Sequence, residues 1–195
     1  MLFRSFGYEN PALATLLDAW AGGSRPVIAI VPKSRLSGDV THWLGQELGD
    51  EDVVRRGALE LRGSPFVPQA RYDELLWSAD WNFVRGEDSF VRAQWAERPF
   101  AWQIYPQAEG AHLVKLEAFL ARYVEGLPAP LAAALRTLWM AWNGAGPADA
   151  LPAAWQTLAD EMPALHRHAA DWAVRLATQQ DLAMALARFC AERLE

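Results

Sequence analysis

The sequence has a single cysteine, Cys190, so it has no internal disulfide framework and suits a reducing compartment. No apolar run approaches the ~18–20 residues needed to cross a bilayer. The opening, MLFRSFGYEN, lacks the charged-then-apolar pattern of a secretion signal. Together these features predict a cytoplasmic protein without a membrane partner. Positive charge is also short. A net charge of −6 gives no basic footprint for sequence-independent nucleic-acid binding, so no nucleic-acid partner is expected. Three fingerprints are missing too: without GxGxxG, a Walker loop or GxSxG, nicotinamide, ATPase and hydrolase readings lack support. The histidines do not gather with acids or cysteines. His166 and His168 sit two apart in a helical stretch, hence on different faces, while His42 and His112 stand alone. No metal and no cofactor is expected.

What is present points to a layered fold. A hydrophobic content of 52% over 195 residues supports a sizeable core, and ten tryptophans serve a core as readily as a site. Residues 2–7 read as a strand. Asn10 and Pro11 then start a helix that Gly22 and Gly23 stop. The run PVIAIV at 26–31 predicts a strand buried on both faces. Asp39 is expected to cap a helix running to Leu48, and 58–61 is a weaker strand. Helices at 72–78, 87–96 and 111–124 alternate with strands at 82–84 and 100–104. This alternation predicts an α/β fold, a Rossmann-like parallel sheet flanked by helices over 1–127. Beyond Pro128 the chain is rich in alanine and leucine and free of strand signals. Segments 131–142, 153–159 and 163–194 predict a helical C-terminal extension, 128–195, packed on that layer.

In open α/β sheets, ligands bind beyond the carboxyl ends of the strands, often against helix N-termini. Four junctions qualify, at 6–10, 65–72, 84–90 and 104–112. The sharpest is Asn82-Phe83-Val84-Arg85-Gly86-Glu87-Asp88-Ser89-Phe90. Free N–H groups near Asp88 and Ser89, the Ser89 hydroxyl and Arg85 can hold a phosphate there. The same residues also describe an ordinary helix start, and the carboxylates of Glu87 and Asp88 would repel an anion. At 65–72, Phe66 and Tyr72 can sandwich a base while the Gln69 amide reads a pyrimidine edge. Equally, Phe66 can be core and Tyr72 can lie over the helix start. Phe6, Tyr8 and Tyr105 invite the same pair of readings.

FVPQARYDELLW, DWNFVRGEDSFVRAQWAERPFAWQIYPQ and AHLVKLEAFL resemble the family of elongation factor P protein-arginine rhamnosyltransferases, and FGYENPALATLLDAW resembles the start of that family's C-terminal domain. The similarity runs the length of the chain and is strongest from Pro65 to Leu120. The resemblance implies a GT-B-type glycosyltransferase with two Rossmann-like domains across a cleft. Its donor, dTDP-β-L-rhamnose, is held mainly by the C-terminal domain. Its acceptor is one arginine of elongation factor P, and the reaction inverts the anomeric centre without a metal. Phe66 and Tyr72 match aromatic positions around the thymine, and Gln69 matches a base-contacting glutamine. Phe6 and Tyr8 match aromatic positions at the first strand end. Arg85, Asp88, Ser89 and Tyr105 match positions around the diphosphate, and Glu87 matches the family's important glutamate. Members also carry an N-terminal domain with two functional aspartates, for which this sequence has no counterpart. The chain is therefore expected to be a shortened form that binds donor but turns over negligibly alone. Two other readings stay open: the donor domain of a different nucleotide-sugar glycosyltransferase, and a non-catalytic module whose tryptophan-rich helical tail binds a protein.

Overall fold

The computed structural model describes residues 1–5 and 7–193. Six strands form one sheet: β1 (Leu2–Ser5), β2 (Val27–Pro32), β3 (Val53–Arg56), β4 (Leu59–Ser64), β5 (Trp81–Arg85) and β6 (Phe100–Gln103). Their order is β3-β4-β2-β1-β5-β6, and every pairing is parallel except β3 with β4. Strands β2, β5 and β6 are short and largely apolar, as strands covered by helices on both faces are. All of Trp81, Asn82, Phe83 and Val84 in β5 are buried, as are all four residues of β6.

Helices α1 (Leu13–Ala21), α2 (Ser37–Leu44), α3 (Tyr72–Ser78), α4 (Asp88–Trp95) and α5 (Ala111–Tyr123) alternate with the strands. The first of these begins at Leu13 rather than at Pro11: Asn10 closes the turn ahead of it, its Oδ1 accepting from the Ala12 N–H at 3.0 Å, and makes no side-chain cap to the helix itself. Four further helices follow: α6 (Ala129–Trp142), α7 (Leu151–Asp160), α8 (Met162–Ala177) and α9 (Leu182–Ala191). The stretch expected as one helical run, 163–194, is two helices. Asp181 breaks it by capping α9, its side chain accepting from the Met184 N–H at 2.9 Å. Leu194 lies outside the described residues.

Two further expectations need correction. Asp39 does not cap α2, which starts two residues earlier. Ser34 and Ser37 bond each other's backbone, the Ser34 N–H donating to Ser37 Oγ and the Ser37 N–H to the Ser34 carbonyl, and this opens the helix at Ser37. The Asp39 carboxylate instead accepts from the Asn10 N–H at 2.6 Å. The helix stops at Leu44 rather than Leu48. Gly45 takes φ +75°, and Arg56 donates to the last carbonyls, of Trp43 and Leu44. The second correction adds strand β3, whose VVRR has no apolar alternation. It is an exposed, charged edge whose register comes from β4.

The buried residues form one cluster from Phe3 to Leu165, so α6, α7 and the start of α8 share the sheet's core. Tryptophan fills much of it. Trp20, Trp81, Trp102, Trp139, Trp142 and Trp155 are all buried. Phe3 stacks on Trp20 at 4.9 Å with Trp155 edge-on at 5.1 Å, while Trp139 stacks on Phe119 at 5.6 Å. The tail tryptophans Trp139, Trp142 and Trp155 thus face inward, and Trp172 is half-buried against the same core. Among the described residues, no helix is long and apolar enough to cross a membrane.

Candidate functional site

The strand order reverses at β1. From there the chain builds outward through β2 and β4 on one side, then through β5 and β6 on the other. A sheet of this kind opens a ligand crevice outside the carboxyl ends at that reversal. The connections there are Gly7 to Asn10 after β1 and Gly86 to Glu87 after β5. The segments following β4 and β6 flank them.

After β4, Pro65 and Pro68 hold the chain extended, and a single 3₁₀ turn over Gln69–Arg71 leads into α3. A cavity of about 180 Å³ opens beside this segment. Phe66, Val67, Gln69 and Tyr72 line it from one side, Pro32 from the end of β2, and Asp88 and Ser89 from the start of α4. Phe66 is 76% exposed, so it is not a core residue. Tyr72 opens α3 and packs half-buried against the core, so it serves the helix start and the cavity wall together.

Gly86 makes the tight turn from β5 into α4, with φ +63°. The helix's first backbone bond is Val91 N–H to the Glu87 carbonyl at 3.0 Å. The N–H groups of Asp88, Ser89 and Phe90 precede it and make no bond within the helix. The Asp88 carboxylate accepts from Arg92 Nε at 2.9 Å and from Gln69 Nε2 at 3.4 Å. Arg92 also donates to both Asp73 oxygens, at 3.2 and 3.0 Å. The bond to Asp88, then the bond to Asp73, hold the Arg92 guanidinium above its ordinary pKa. The Asp88 charge is thereby spent sideways on a cation, which eases the repulsion that a carboxylate here would offer an anion. Glu87 is exposed at the N-cap and makes no side-chain bond to the helix start.

A second group lies across the reversal. The Arg85 guanidinium carbon sits 4.7 Å from the Tyr8 ring centroid, and Tyr105 meets Tyr8 edge-on at 5.9 Å. Tyr105 is 56% exposed. A buried glutamine, Gln103 at the end of β6, holds this group. Its Oε1 accepts from the Tyr8 N–H at 2.7 Å and its Nε2 donates to the Glu9 carbonyl at 3.3 Å. Gly7 leaves room for it, since a Cβ there would lie 2.9 Å from Gln103 Oε1. Trp102 Nε1 donates to the Gly86 carbonyl at 2.7 Å, and the Gly86 N–H donates to the Gln103 carbonyl at 3.3 Å. Asn143, at the end of α6, accepts from the Ile104 N–H and donates to the Trp102 carbonyl, fixing the strand that carries Tyr105.

The expected residues thus fall into two neighbouring groups joined through the start of α4. Phe66, Gln69, Tyr72, Asp88 and Ser89 share the cavity, while Arg85 lies over the Tyr8 ring and Tyr105 meets that ring edge-on. Glu87 lies in sequence between the two. Phe6 is outside the described residues. Pro32, Val67, Asp73, Arg92, Gln103 and Asn143 were not foreseen. Only Arg92 carried a signal, being four residues beyond Asp88 on one helix. A larger cavity, about 320 Å³, opens beside the β2–α2 junction with Lys33, Glu47 and Asp50 in its wall. It has no aromatic side chain, so a base would have nothing to stack on. Among the described residues, no cluster of three histidines, cysteines or acids is placed to hold a metal ion.

The model of the family Elongation-Factor P (EF-P) rhamnosyltransferase EarP matches residues 1–191. The chain belongs to this family. A protein-arginine rhamnosyltransferase of Pseudomonas aeruginosa is 47% identical over 194 residues, covering 99% of this chain and 51% of its own length. One from Pseudomonas putida is 48% identical over 190 residues, covering 97% and 50%. The chain therefore spans about half the length of the curated relatives it matches. A solved chain from work on the structural basis for EarP-mediated arginine glycosylation of translation elongation factor EF-P superposes with a TM-score of 0.86 at 45% identity. The match covers 98% of this chain and 60% of that one.

Proposed function

We propose that this chain is the donor-binding half of a two-domain, GT-B-type enzyme that transfers rhamnose from dTDP-β-L-rhamnose to an arginine of elongation factor P, in the cytoplasm and with inversion. The observation that carries this reading is the cavity between Phe66 and Tyr72, with the Gln69 amide at its edge and the start of α4 beside it. A thymine stacks against Phe66 and Tyr72. The diphosphate lies over the N–H groups of Asp88 to Phe90, with the Ser89 hydroxyl and the Arg85–Tyr8–Tyr105 group around it.

In the transfer, a guanidinium nitrogen of the acceptor attacks the anomeric carbon from the face opposite the leaving group. The carbon–oxygen bond to the diphosphate breaks, dTDP departs with the electron pair, and the attacking nitrogen gives its proton to a carboxylate. An unassisted guanidinium, with a pKa above ~12, is a poor nucleophile. It needs a carboxylate to orient it and take the proton, which this reading assigns to the partner half. Helix N–H groups and Arg85 stabilise the charge that grows on the diphosphate. Exposed Glu87 is free of the Asp88–Arg92 pair and stands where it can hold the incoming guanidinium or the sugar.

Calorimetric titration with dTDP, UDP and GDP tests the reading. Saturable binding that favours dTDP is expected, with no measurable rhamnosyl transfer by this chain alone. Absence of binding, or preference for GDP, would overturn the donor assignment. In the complete enzyme Glu87→Gln is expected to lower turnover by ~10²–10⁴-fold while donor affinity changes little. Equal loss of both would make Glu87 a binding residue only.

A further inference from the structure

The side chain at the edge of the cavity is an amide, and an amide has two faces. Read across N3 and the C4 substituent, thymine and uracil present a donor and then an acceptor, whereas cytosine presents an acceptor and then a donor. A glutamine free to turn half a revolution about its last bond matches either pattern. Gln69 is biased toward one of these two orientations. Its Nε2 donates to Asp88 Oδ2 at 3.4 Å. A carboxylate only accepts, so turning the amide would set Oε1 against Asp88 and forfeit that bond.

Asp88 is itself held. Its same oxygen, Oδ2, takes the Arg92 Nε donor at 2.9 Å, and Arg92 is anchored on both oxygens of Asp73. Asp73 follows Tyr72 in the first turn of α3, and Asp88 and Arg92 lie one turn apart on α4. The chain Asp73–Arg92–Asp88–Gln69 therefore ties the two walls of the cavity and ends on the amide. With one Nε2 hydrogen committed to Asp88, Oε1 and the other hydrogen form the edge left for a base.

We propose that Arg92 and Asp73 are positioning residues that lock the amide of Gln69 through Asp88, so that the cavity accepts a pyrimidine nucleoside diphosphate carrying N3–H and rejects cytosine. This rests on the reading of the cavity as the donor's base site. Neither Arg92 nor Asp73 lines the cavity, so neither touches the base. They set its selectivity through the side chain that does. A site arranged around one hydrogen-bond pattern discriminates because the wrong partner leaves donors facing donors.

The test is titration of the chain and its variants with dTDP and dCDP, with thermal melting of each protein alongside. The wild type is expected to prefer dTDP by at least about tenfold, the cost of roughly one mismatched hydrogen-bond pair. In Arg92→Met that preference should fall to about threefold or less, mainly because dCDP is no longer rejected. Arg92→Lys, which keeps one charged donor for Asp88, should recover part of it. If Arg92→Met melts early, Asp73→Asn carries the same test through a milder loosening of the relay. Equal weakening of both nucleotides in variants that melt normally would overturn the relay while leaving the base site standing. Equal binding of dTDP and dCDP by the wild type would also overturn it. Binding of neither nucleotide would overturn the base-site reading and the relay with it.

Discussion

Phe66 and Tyr105, at the carboxyl ends of strands, and the tryptophans of α6 and α7 are of one chemical kind and meet opposite fates. Trp139 and Trp142 are 0% and 1% exposed, whereas Phe66 is 76% and Tyr105 56% exposed. The helical tryptophans sit on faces that pack against the sheet, where burying a large ring is favourable and leaves few voids. Phe66 stands on a segment that two prolines hold extended, and Tyr105 follows the end of β6 next to Pro106. The backbone there holds a ring in water, at a cost in folding free energy that a stacked ligand would offset. Aromatic content alone therefore marks no site. A ring that the backbone keeps out of the core is the informative one.

Substitutions can break this contrast. The largest effect is expected for Trp139→Ala, which removes a fully buried ring stacked on Phe119 and an N–H donated to the Phe100 carbonyl. A loss of about 3–5 kcal/mol in denaturant unfolding is expected. A loss near zero would mean that the helical layer is not part of the sheet's core. Phe66→Ala should do the reverse. Its stability should stay within about 0.5 kcal/mol of wild type, while dTDP binding weakens by roughly 1–3 kcal/mol. Unchanged affinity would remove the ring from the base site.

Gly7→Ala sharpens the comparison from between the two regions. The new methyl would crowd Gln103 Oε1 at 2.9 Å and displace the acceptor of the Tyr8 N–H. About 1 kcal/mol of stability should be lost, with nucleotide binding a few-fold weaker. Unchanged affinity would show that Gln103 holds Tyr8 without consequence for the ligand. The smallest effect concerns pH. Burial holds buried His168 below its ordinary pKa of 6.5, while its Nε2 bonds the Tyr123 carbonyl. The unfolded chain takes up that proton more readily than the folded one. The stability from neutral His168 is therefore fully present above about pH 6.5, and falls as pH drops through that value toward the folded-state pKa. Melting temperatures between pH 7 and 5 should decline less steeply in His168→Gln than in wild type. Parallel slopes would mean that this imidazole does not titrate against folding. The residues of the candidate site lie on other elements, so nucleotide affinity should be spared.

Much of the fold was legible because its signals are local. VIAIVP is apolar whatever surrounds it, Asn10 caps the turn before α1, and the 72–78 helix reads from its own composition. Edge strand β3 was not legible, because VVRR becomes a strand only where β4 offers its hydrogen bonds. Asp39 misled for a related reason: an acid ahead of an apolar stripe looks like a cap, but its carboxylate answers an N–H twenty-nine residues earlier. In the site, Phe66, Gln69 and Tyr72 stand close in sequence and could be read together. The link from Gln69 to Asp88 spans nineteen residues, and that from Tyr8 to Gln103 spans ninety-five.

The sequence by itself determined the alternation of strands and helices, and membership of a family whose signature runs along most of the chain. Each follows from periodicity, capping or motif, which neighbouring residues carry among themselves. Only the tertiary structure decided which rings face water, that Asp88 spends its charge on Arg92, and that a glutamine from β6 supports a tyrosine after β1. Those outcomes depend on distances between segments far apart in the chain, which close only when the sheet brings β1, β5 and β6 side by side.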